Sequence, residues 1–138
     1  MQKTIIIKTS GIKAYEITKQ VQEVISSYHI KNGLCNIFIQ HTSASLIICE
    51  NADLAVLQDL EYWLAKQIPE NDPNYKHTME GSDDMPSHIR SIITSPQITI
   101  PITNNKLALG TWQGIFLYEH RRGSFSRKII ITTIKNGY

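Results

Sequence analysis

Isoleucine and threonine are the residues that most restrict what this 138-residue chain can fold into. The sequence contains 23 isoleucines against 3 valines and 6 alanines, and it contains 11 threonines. Side chains branched at Cβ lose rotamer freedom in helices and pack well on a pleated sheet. This choice of residues predicts a protein built mainly of β-strands. The length suits one domain over residues 1–138.

Hydrophobic periodicity adds helices to this β-rich chain. Apolar residues at helical spacing predict a helix over about 18–28 with Thr18 as its cap, and another over about 53–67 with Asn51 as its cap and Trp63 on its inward face. A short third helix over 86–94 follows a polar segment over 69–85 that is longer than a typical connection. The strands are predicted at 4–8, 34–40, 44–49, 97–102, 106–109, 113–118 and 128–134, with turns at 103–105 and 121–127. We expect an α+β fold, mainly an antiparallel β-sandwich or barrel-like single domain with two or three helices.

Charge is distributed unevenly along the sequence. The net charge is only +2, which disfavours a protein that coats nucleic acid. Nine acidic residues fall between positions 50 and 84, whereas the segment from 121 to the end has five basic residues and no acidic one. An acidic middle and a basic end suit a metal and a phosphorylated small molecule better than a polyanion.

The compartment is predicted from the N-terminus and the cysteines. The first apolar run has three residues between lysines, too short for a signal peptide or a membrane span. Cys35 and Cys49 both lie in apolar runs, which favours buried free thiols over a disulfide. We expect a soluble, cytoplasmic protein with no membrane partner.

The acidic segment contains the first candidate site. His77, Asp83, Asp84 and His88 place two imidazoles and two carboxylates within twelve residues, a ligand set that divalent metals use. The spacing matches no local zinc motif, so the alternative remains that the aspartates cap a helix and the histidines are solvated. Nearby, Glu50 offers a further carboxylate at a strand-to-helix junction, where capping explains the acidic residues equally well.

Three further segments have polar residues suited to a ligand. Arg121, Arg122 and Arg127 with Glu119 and His120 resemble an anion site, because guanidinium groups match phosphate oxygens, although a solvated hairpin is the alternative. Near His41, two serine hydroxyls fit hydrogen bonding of a phosphate better than a hydrolase triad. Between two strands, a glycine-containing turn allows either close approach to a ligand or simple packing of its tryptophan in the core. The residues of these last two segments are Ser43 and Ser45, and Thr111, Trp112 and Gln113.

Five sequence blocks together resemble a known family. The sequence is similar to the YjbQ-like family, uncharacterised protein family 0047, whose members are also catalogued as secondary thiamine-phosphate synthases. The resemblance extends from about residue 4 to 134. Its blocks are His41-Thr-Ser-Ala-Ser, Glu50-Asn51-x-Asp53, Tyr75-x-His77, Asp83-Asp84-Met85-Pro86-x-His88 and Leu109-Gly-Thr-Trp-Gln113.

The resemblance implies a homotrimer and a site where four residues meet around a divalent metal, Mg or Zn. These implied metal ligands are His41, His77, Asp84 and His88. The implied reaction joins an aminopyrimidine diphosphate to a thiazole phosphate and releases pyrophosphate. Within this interpretation, the catalytic residues are His41, His88, Asp84 and Glu50, and the substrate or phosphate is bound by Ser43, Ser45, Thr111, Gln113, His120, Arg121 and Arg127. The alternative is a trimeric binding protein for a phosphorylated or anionic metabolite, without significant catalysis.

Overall fold

Eight strands and three helices make up residues 1–137, the part of the chain that the computed structural model describes. The strands are β1 (Gln2–Ser10), β2 (Lys13–Glu16), β3 (Asn32–Ile39), β4 (Ala44–Glu50), β5 (Gln97–Thr103), β6 (Lys106–Leu107), β7 (Gln113–Glu119) and β8 (Ser124–Lys135). The helices are α1 (Thr18–Tyr28), α2 (Leu54–Gln67) and α3 (Asp84–Ile93).

The strands form two antiparallel sheets. The large sheet has the order β1-β8-β3-β5-β6, and the small sheet has the order β2-β7-β4. Their inner faces and α1 enclose one main core, in which the large sheet contributes mostly isoleucine side chains. The expected α+β fold with two antiparallel layers and a single domain is therefore confirmed. None of the helices in the described residues is long and apolar enough to cross a membrane.

Most predicted elements are present, with differences at their ends. Helix α1 has the predicted bounds, but its N-cap is Ile17, and the Thr18 hydroxyl instead donates to Glu16. Helix α2 is capped by Asp53, whose carboxylate accepts from the Ala55 N–H at 2.9 Å, rather than by the predicted Asn51. In both cases, the side chain of the predicted cap residue bonds to Glu16 of β2, and a nearby residue occupies the N-cap position.

Two segments differ more substantially from the sequence prediction. Strand β2 was not predicted, because its four residues are too few to show an alternating pattern. Strand β8 begins at Ser124 rather than 128, so Arg127 lies within a strand and not in an exposed turn.

The predicted hairpin turn at 103–105 is confirmed, and Asn104 and Asn105 both adopt the positive φ that a tight hairpin requires.

Helix α2 is the least buried of the helices. Among its residues, only Leu64 is fully buried, and Trp63 is 53 % exposed. The apolar face predicted for this helix is therefore only partly covered by its own chain.

The structure agrees with the prediction that the two cysteines are free thiols in apolar surroundings. Cys35 is buried and Cys49 is half-buried.

The close approach of β3 and β8 depends on Gly33. A Cβ atom at this position would lie well inside contact distance of the backbone carbonyl of Ile134. Gly33→Ala is therefore expected to lower the free energy of unfolding by about 1–3 kcal/mol, measured by urea denaturation. The matched control is Gly137→Ala, where a Cβ meets nothing within 4 Å. Equal stability of the two variants would contradict this account of the strand contact.

Candidate functional site

Two histidines and an aspartate meet at the start of α3. Asp84 and His88 are four residues apart, so they lie on the same face of the helix. His77 reaches them from the polar segment before the helix. Asp84 Oδ2 lies 2.7 Å from His77 Nε2 and 3.0 Å from His88 Nε2. The three potential ligand atoms lie within 4.8 Å of one another, and we call this group the His–Asp–His cluster.

The hydrogen bonds of His88 determine which of its nitrogens carries hydrogen. Its Nδ1 lies 2.8 Å from the carbonyl oxygen of Thr42, which can only accept. Nδ1 therefore carries a hydrogen, and in the neutral ring Nε2 presents a lone pair to Asp84 Oδ2. Two lone pairs 3.0 Å apart repel each other unless a cation lies between them, either a proton or a metal ion. The same N–H to carbonyl contact commonly orients histidines that bind metals.

The charge at Asp84 is well defined. Burial by itself raises the pKa of this carboxyl, but the hydrogen bond from His77, the interaction with His88 and the positive charge of Arg121 lower it by more. The net pKa lies below the ordinary value, so the Asp84 carboxylate is ionised at neutral pH. Its second oxygen, Oδ1, lies 3.1 Å from Nη1 of Arg121.

The cluster fits a divalent metal in donor type and nearly in spacing. Imidazole and carboxylate are ligands of Zn and similar ions, whereas Mg prefers sites built of oxygen atoms. Ligand atoms about 2.1 Å from a tetrahedral ion are about 3.4 Å apart, so the distance to Asp84 must grow by about 0.7 Å for His77 and about 0.4 Å for His88. The exposed edge of the ring of His77, whose side chain is 48 % exposed, leaves room for that adjustment.

His41 lies on the wall of an open cavity that His88 shares. The cavity, of about 690 Å³, is lined by His41, Thr42, His88, Ser91, Ile92 and Pro96. His41 is not a member of the His–Asp–His cluster, because its Nε2 accepts from the backbone N–H of Lys128 at 2.8 Å and its Nδ1 faces Arg127. Burial and the charge of Arg127 lower the pKa of this imidazole, which keeps the ring neutral.

The three arginines of the predicted anion site pair with carboxylates of the same chain. Arg127 is buried and forms a two-pronged contact with the fully buried Glu119. Arg121 contacts Asp83 and Asp84, and the exposed Arg122 pairs with Glu70. The basic turn is therefore not a free cationic hairpin, and its charges connect it to the acidic segment.

Ser43, Ser45 and His120 lie near the ion pair between Arg127 and Glu119. The carbonyl of Ser43 accepts from the His120 backbone N–H at 3.2 Å. Ser45 is fully buried, and its hydroxyl contacts Nε2 of His120 at 2.8 Å. Within residues 1–137, Nδ1 of His120 has no hydrogen-bond partner. The chain thus places both serines near His41 but uses Ser45 to position a buried imidazole.

Glu50, Thr111 and Gln113 lie at the opposite end of the small sheet. Glu50 pairs with Gln113, whereas Ala44 pairs with Glu119 at the end near the cavity. Six residues of strand separate the two ends, which corresponds to about 20 Å. One chain therefore does not bring these three residues to the His–Asp–His cluster. Trp112 in the same turn is 63 % exposed, so it is not packed in the core.

Two residues that orient the site were not predicted to do so. The backbone carbonyl of Thr42 orients His88, and a carbonyl acceptor leaves no trace in sequence. Glu119 was grouped with an exposed basic turn, although its carboxylate is buried and accepts from four donors. The available indication of this burial was that Glu119 ends β7, a strand that is buried at nearly every residue.

Together the fold and the site define a class of small α+β protein, in which two antiparallel sheets and a short helix present a His–Asp–His cluster beside an open cavity. The family model described as "UPF0047 protein YjbQ-like" matches residues 3–136, and the chain belongs to this family.

Named relatives support the assignment along nearly the whole chain. The UPF0047 protein sll1880 of Synechocystis is 47% identical over 130 residues, which cover 94% of this chain and 88% of that protein. The UPF0047 protein YjbQ of Escherichia coli O157:H7 is 38% identical over 132 residues, 95% of each chain. A solved structure from Clostridium acetobutylicum, described as an uncharacterized conserved protein of the yjbq/upf0047 family, has a TM-score of 0.88 and 34% identity, and the match covers 96% of this chain and 99% of that one.

The buried His120 should make stability depend on pH. Burial, together with the charges of Arg90 and Arg127, lowers the pKa of His120 to about 3. An unfolded histidine binds a proton below about pH 6.5, so from there towards pH 3 the folded protein is expected to lose up to about 1.4 kcal/mol of stability per pH unit from this residue. His120→Gln, whose amide can still reach Ser45, should reduce this slope in urea unfolding at pH 7, 6 and 5. An unchanged slope would contradict the buried neutral ring.

Proposed function

We propose that the His–Asp–His cluster binds a divalent metal, Zn in preference to Mg, and that the adjoining cavity takes a small phosphorylated substrate. The observation that supports this most directly is the 3.0 Å contact between Nε2 of His88 and the ionised Asp84, two atoms that need a cation between them. The Thr42 carbonyl keeps the hydrogen on Nδ1, so the ring cannot turn a donor towards the carboxylate without gaining a proton. A metal ion resolves this contact with the ligands already oriented.

The reaction we propose is the one that the family resemblance implies, synthesis of thiamine phosphate with release of pyrophosphate. A bound divalent cation would neutralise negative charge on the departing diphosphate. The chain itself contributes Asp84, held ionised by the hydrogen bond from His77 and by nearby groups that include Arg121, and an apolar wall of Ile92 and Pro96 on which an aromatic ring can pack. Glu50, Thr111 and Gln113 belong to this proposal only if a second copy of the chain brings them to the cavity, because they lie about 20 Å away along the small sheet.

Metal binding should depend on the two imidazoles of the cluster. His77→Ala and His88→Ala are each expected to weaken zinc binding at least about 100-fold, because each removes a ligand from a three-residue set. The measurement is titration calorimetry on EDTA-treated protein, with metal analysis of the protein as purified. The matched control is His29→Asn, at an exposed histidine whose φ of 53° asparagine tolerates. Zinc affinity unchanged in His88→Ala would contradict the proposed centre.

Activity separates the enzyme from the binding-protein alternative. We expect the metal-loaded protein to release pyrophosphate from the two thiamine precursors, and His88→Ala to lose that release while keeping its thermal unfolding transition. Metal-dependent binding of the precursors without pyrophosphate release would favour the alternative, a protein that captures a phosphorylated metabolite. Equal release by wild type and His88→Ala would contradict a catalytic role for the cluster.

We further propose that the chain forms the homotrimer implied by the resemblance. The outer face of the large sheet presents four large apolar side chains that are between 41% and 64% exposed. Exposed apolar patches of this kind commonly mark contacts between proteins. The four residues are Ile6, Leu34, Phe38 and Ile134.

A charge on this face should weaken the assembly. Light scattering of the wild type is expected to give three times the 15.7 kDa of one chain. Phe38→Asp should lower that mass, because burying an unpaired carboxylate in the interface is unfavourable. Ser26→Asp, at an exposed position of α1, is the control. A wild type that runs as a monomer would contradict the trimer, and a trimeric Phe38→Asp would place the interface elsewhere.

The compartment we propose is the cytoplasm. Both cysteines are free thiols, and burial raises the pKa of Cys35 to about 11, which keeps it protonated and unreactive. Free thiols are typical of proteins that reside in a reducing compartment.

A further inference from the structure

The ring of His41 lies between two hydrogen-bond donors. The backbone N–H of Lys128 donates to Nε2 at 2.8 Å, and Nη1 of Arg127 points at Nδ1 from 3.4 Å. A neutral imidazole has only one acceptor nitrogen, and the other carries hydrogen. Lys128 belongs to β8, so its N–H is held in place by the strand. Nδ1 therefore carries the hydrogen, and its N–H meets the guanidinium N–H with no acceptor between them.

Neither partner can turn away to relieve this contact. Nε and Nη2 of Arg127 both bind the buried carboxylate of Glu119, and the ring of Phe125 lies 4.5 Å from the guanidinium carbon. Turning the His41 ring by 180° would place carbon atoms where Nδ1 and Nε2 now lie, so the N–H of Lys128 would lose its acceptor. Protonation of His41 would add a positive charge beside Arg127, which makes the contact worse. The remaining remedy is an acceptor supplied from the cavity.

We propose that the slot between His41 Nδ1 and Arg127 Nη1 binds an oxygen atom of the phosphate group of an anionic ligand. Two donors 3.4 Å apart can both reach one oxygen at about 2.8 Å, the usual length of such a bond. The slot is partly buried, and its His41 side belongs to the lining of the cavity that His41 shares with His88.

The phosphate slot and the metal cluster are adjacent in the chain and in space. Thr42 follows His41 directly, and its carbonyl orients His88. One wall of the cavity therefore has a position that needs a cation, between His88 and Asp84, and a position that needs an anion, between His41 and Arg127. The slot itself follows from the hydrogen-bond geometry, whereas its ligand, the phosphate of a metal-bound substrate, rests on the proposed function.

The first experiment tests the His41 tautomer and its response to phosphate. In EDTA-treated protein labelled with ¹⁵N-histidine, NMR should find hydrogen on Nδ1 of His41 and none on Nε2 at pH 7.5. Inorganic phosphate should then shift the Nδ1 resonance in a saturable way. Hydrogen on Nε2 instead, or a ring that does not respond to phosphate because a water molecule already occupies the slot, would overturn the inference.

The second experiment uses variants and separates this inference from the metal proposal. His41→Ala should weaken phosphate binding by about tenfold or more, since it removes one of two charge-assisted donors, and His41→Asn should restore part of it, because its amide nitrogen lies near the position of Nδ1. His29→Asn is the matched control. His77→Ala, which removes a metal ligand, should leave phosphate binding to the metal-free protein unchanged.

The pattern of results distinguishes the two ideas. Loss of phosphate binding in His77→Ala but not in His41→Ala would overturn the slot and place the phosphate at the His–Asp–His cluster instead. Loss of zinc binding in His77→Ala together with loss of phosphate binding in His41→Ala is the result expected if both are right. Phosphate binding unchanged in His41→Ala, with circular dichroism showing an intact fold, would reject the slot directly.

Discussion

The buried contact between Glu119 and Arg127 is the interaction on which this structure most depends. Glu119 ends β7 of the small sheet and Arg127 lies in β8 of the large sheet, so their ion pair joins the two layers at the edge of the cavity. Removing two charges from water is costly, and the cost is offset only because the carboxylate also accepts from the hydroxyl of Thr9 and the backbone N–H of Arg121. Loss of one partner would leave an unpaired charge in the core. The pair therefore stabilises the packing of the sheets and fixes the residues around it.

The two halves of the candidate site are both positioned through this contact. Arg127 is held by Glu119 so that its free Nη1 faces His41, and the Arg121 backbone is held so that its side chain reaches Asp84. These contacts leave two neighbouring positions with complementary needs. The position between His88 and Asp84 lacks a cation, and the position between His41 and Arg127 lacks a hydrogen-bond acceptor. A metal with a phosphate ligand supplies both, which is why we favour that pair over a metal or an anion alone.

Much of the fold could be predicted from periodicity, and the exceptions have physical causes. Helix α1 has its predicted bounds because its apolar residues at helical spacing face the core. Helix α2 is the harder case, since Trp63 has the right spacing but its side chain stays 53 % exposed. Arg127 was expected in a turn because charge usually indicates exposure, and its burial depends on a carboxylate from the other sheet. The His–Asp–His cluster could be predicted in part, because Asp84 and His88 are one helical turn apart, but the Thr42 carbonyl that orients it could not.

By itself, the sequence determined the β-rich architecture, the position of most elements and the family, because these follow from local spacing and from residues that keep their order along the chain. Only the tertiary structure decided which polar residues meet. It separated Glu50 and Gln113 from the histidines, because strand length sets that distance, and it brought Arg127 against both Glu119 and His41. Contacts between sheets depend on how the layers pack, and no pattern within a single strand specifies them. For the same reason, the tautomers of His41 and His88, from which the proposed chemistry is inferred, depend on backbone atoms of Lys128 and Thr42 that only the folded chain places beside them.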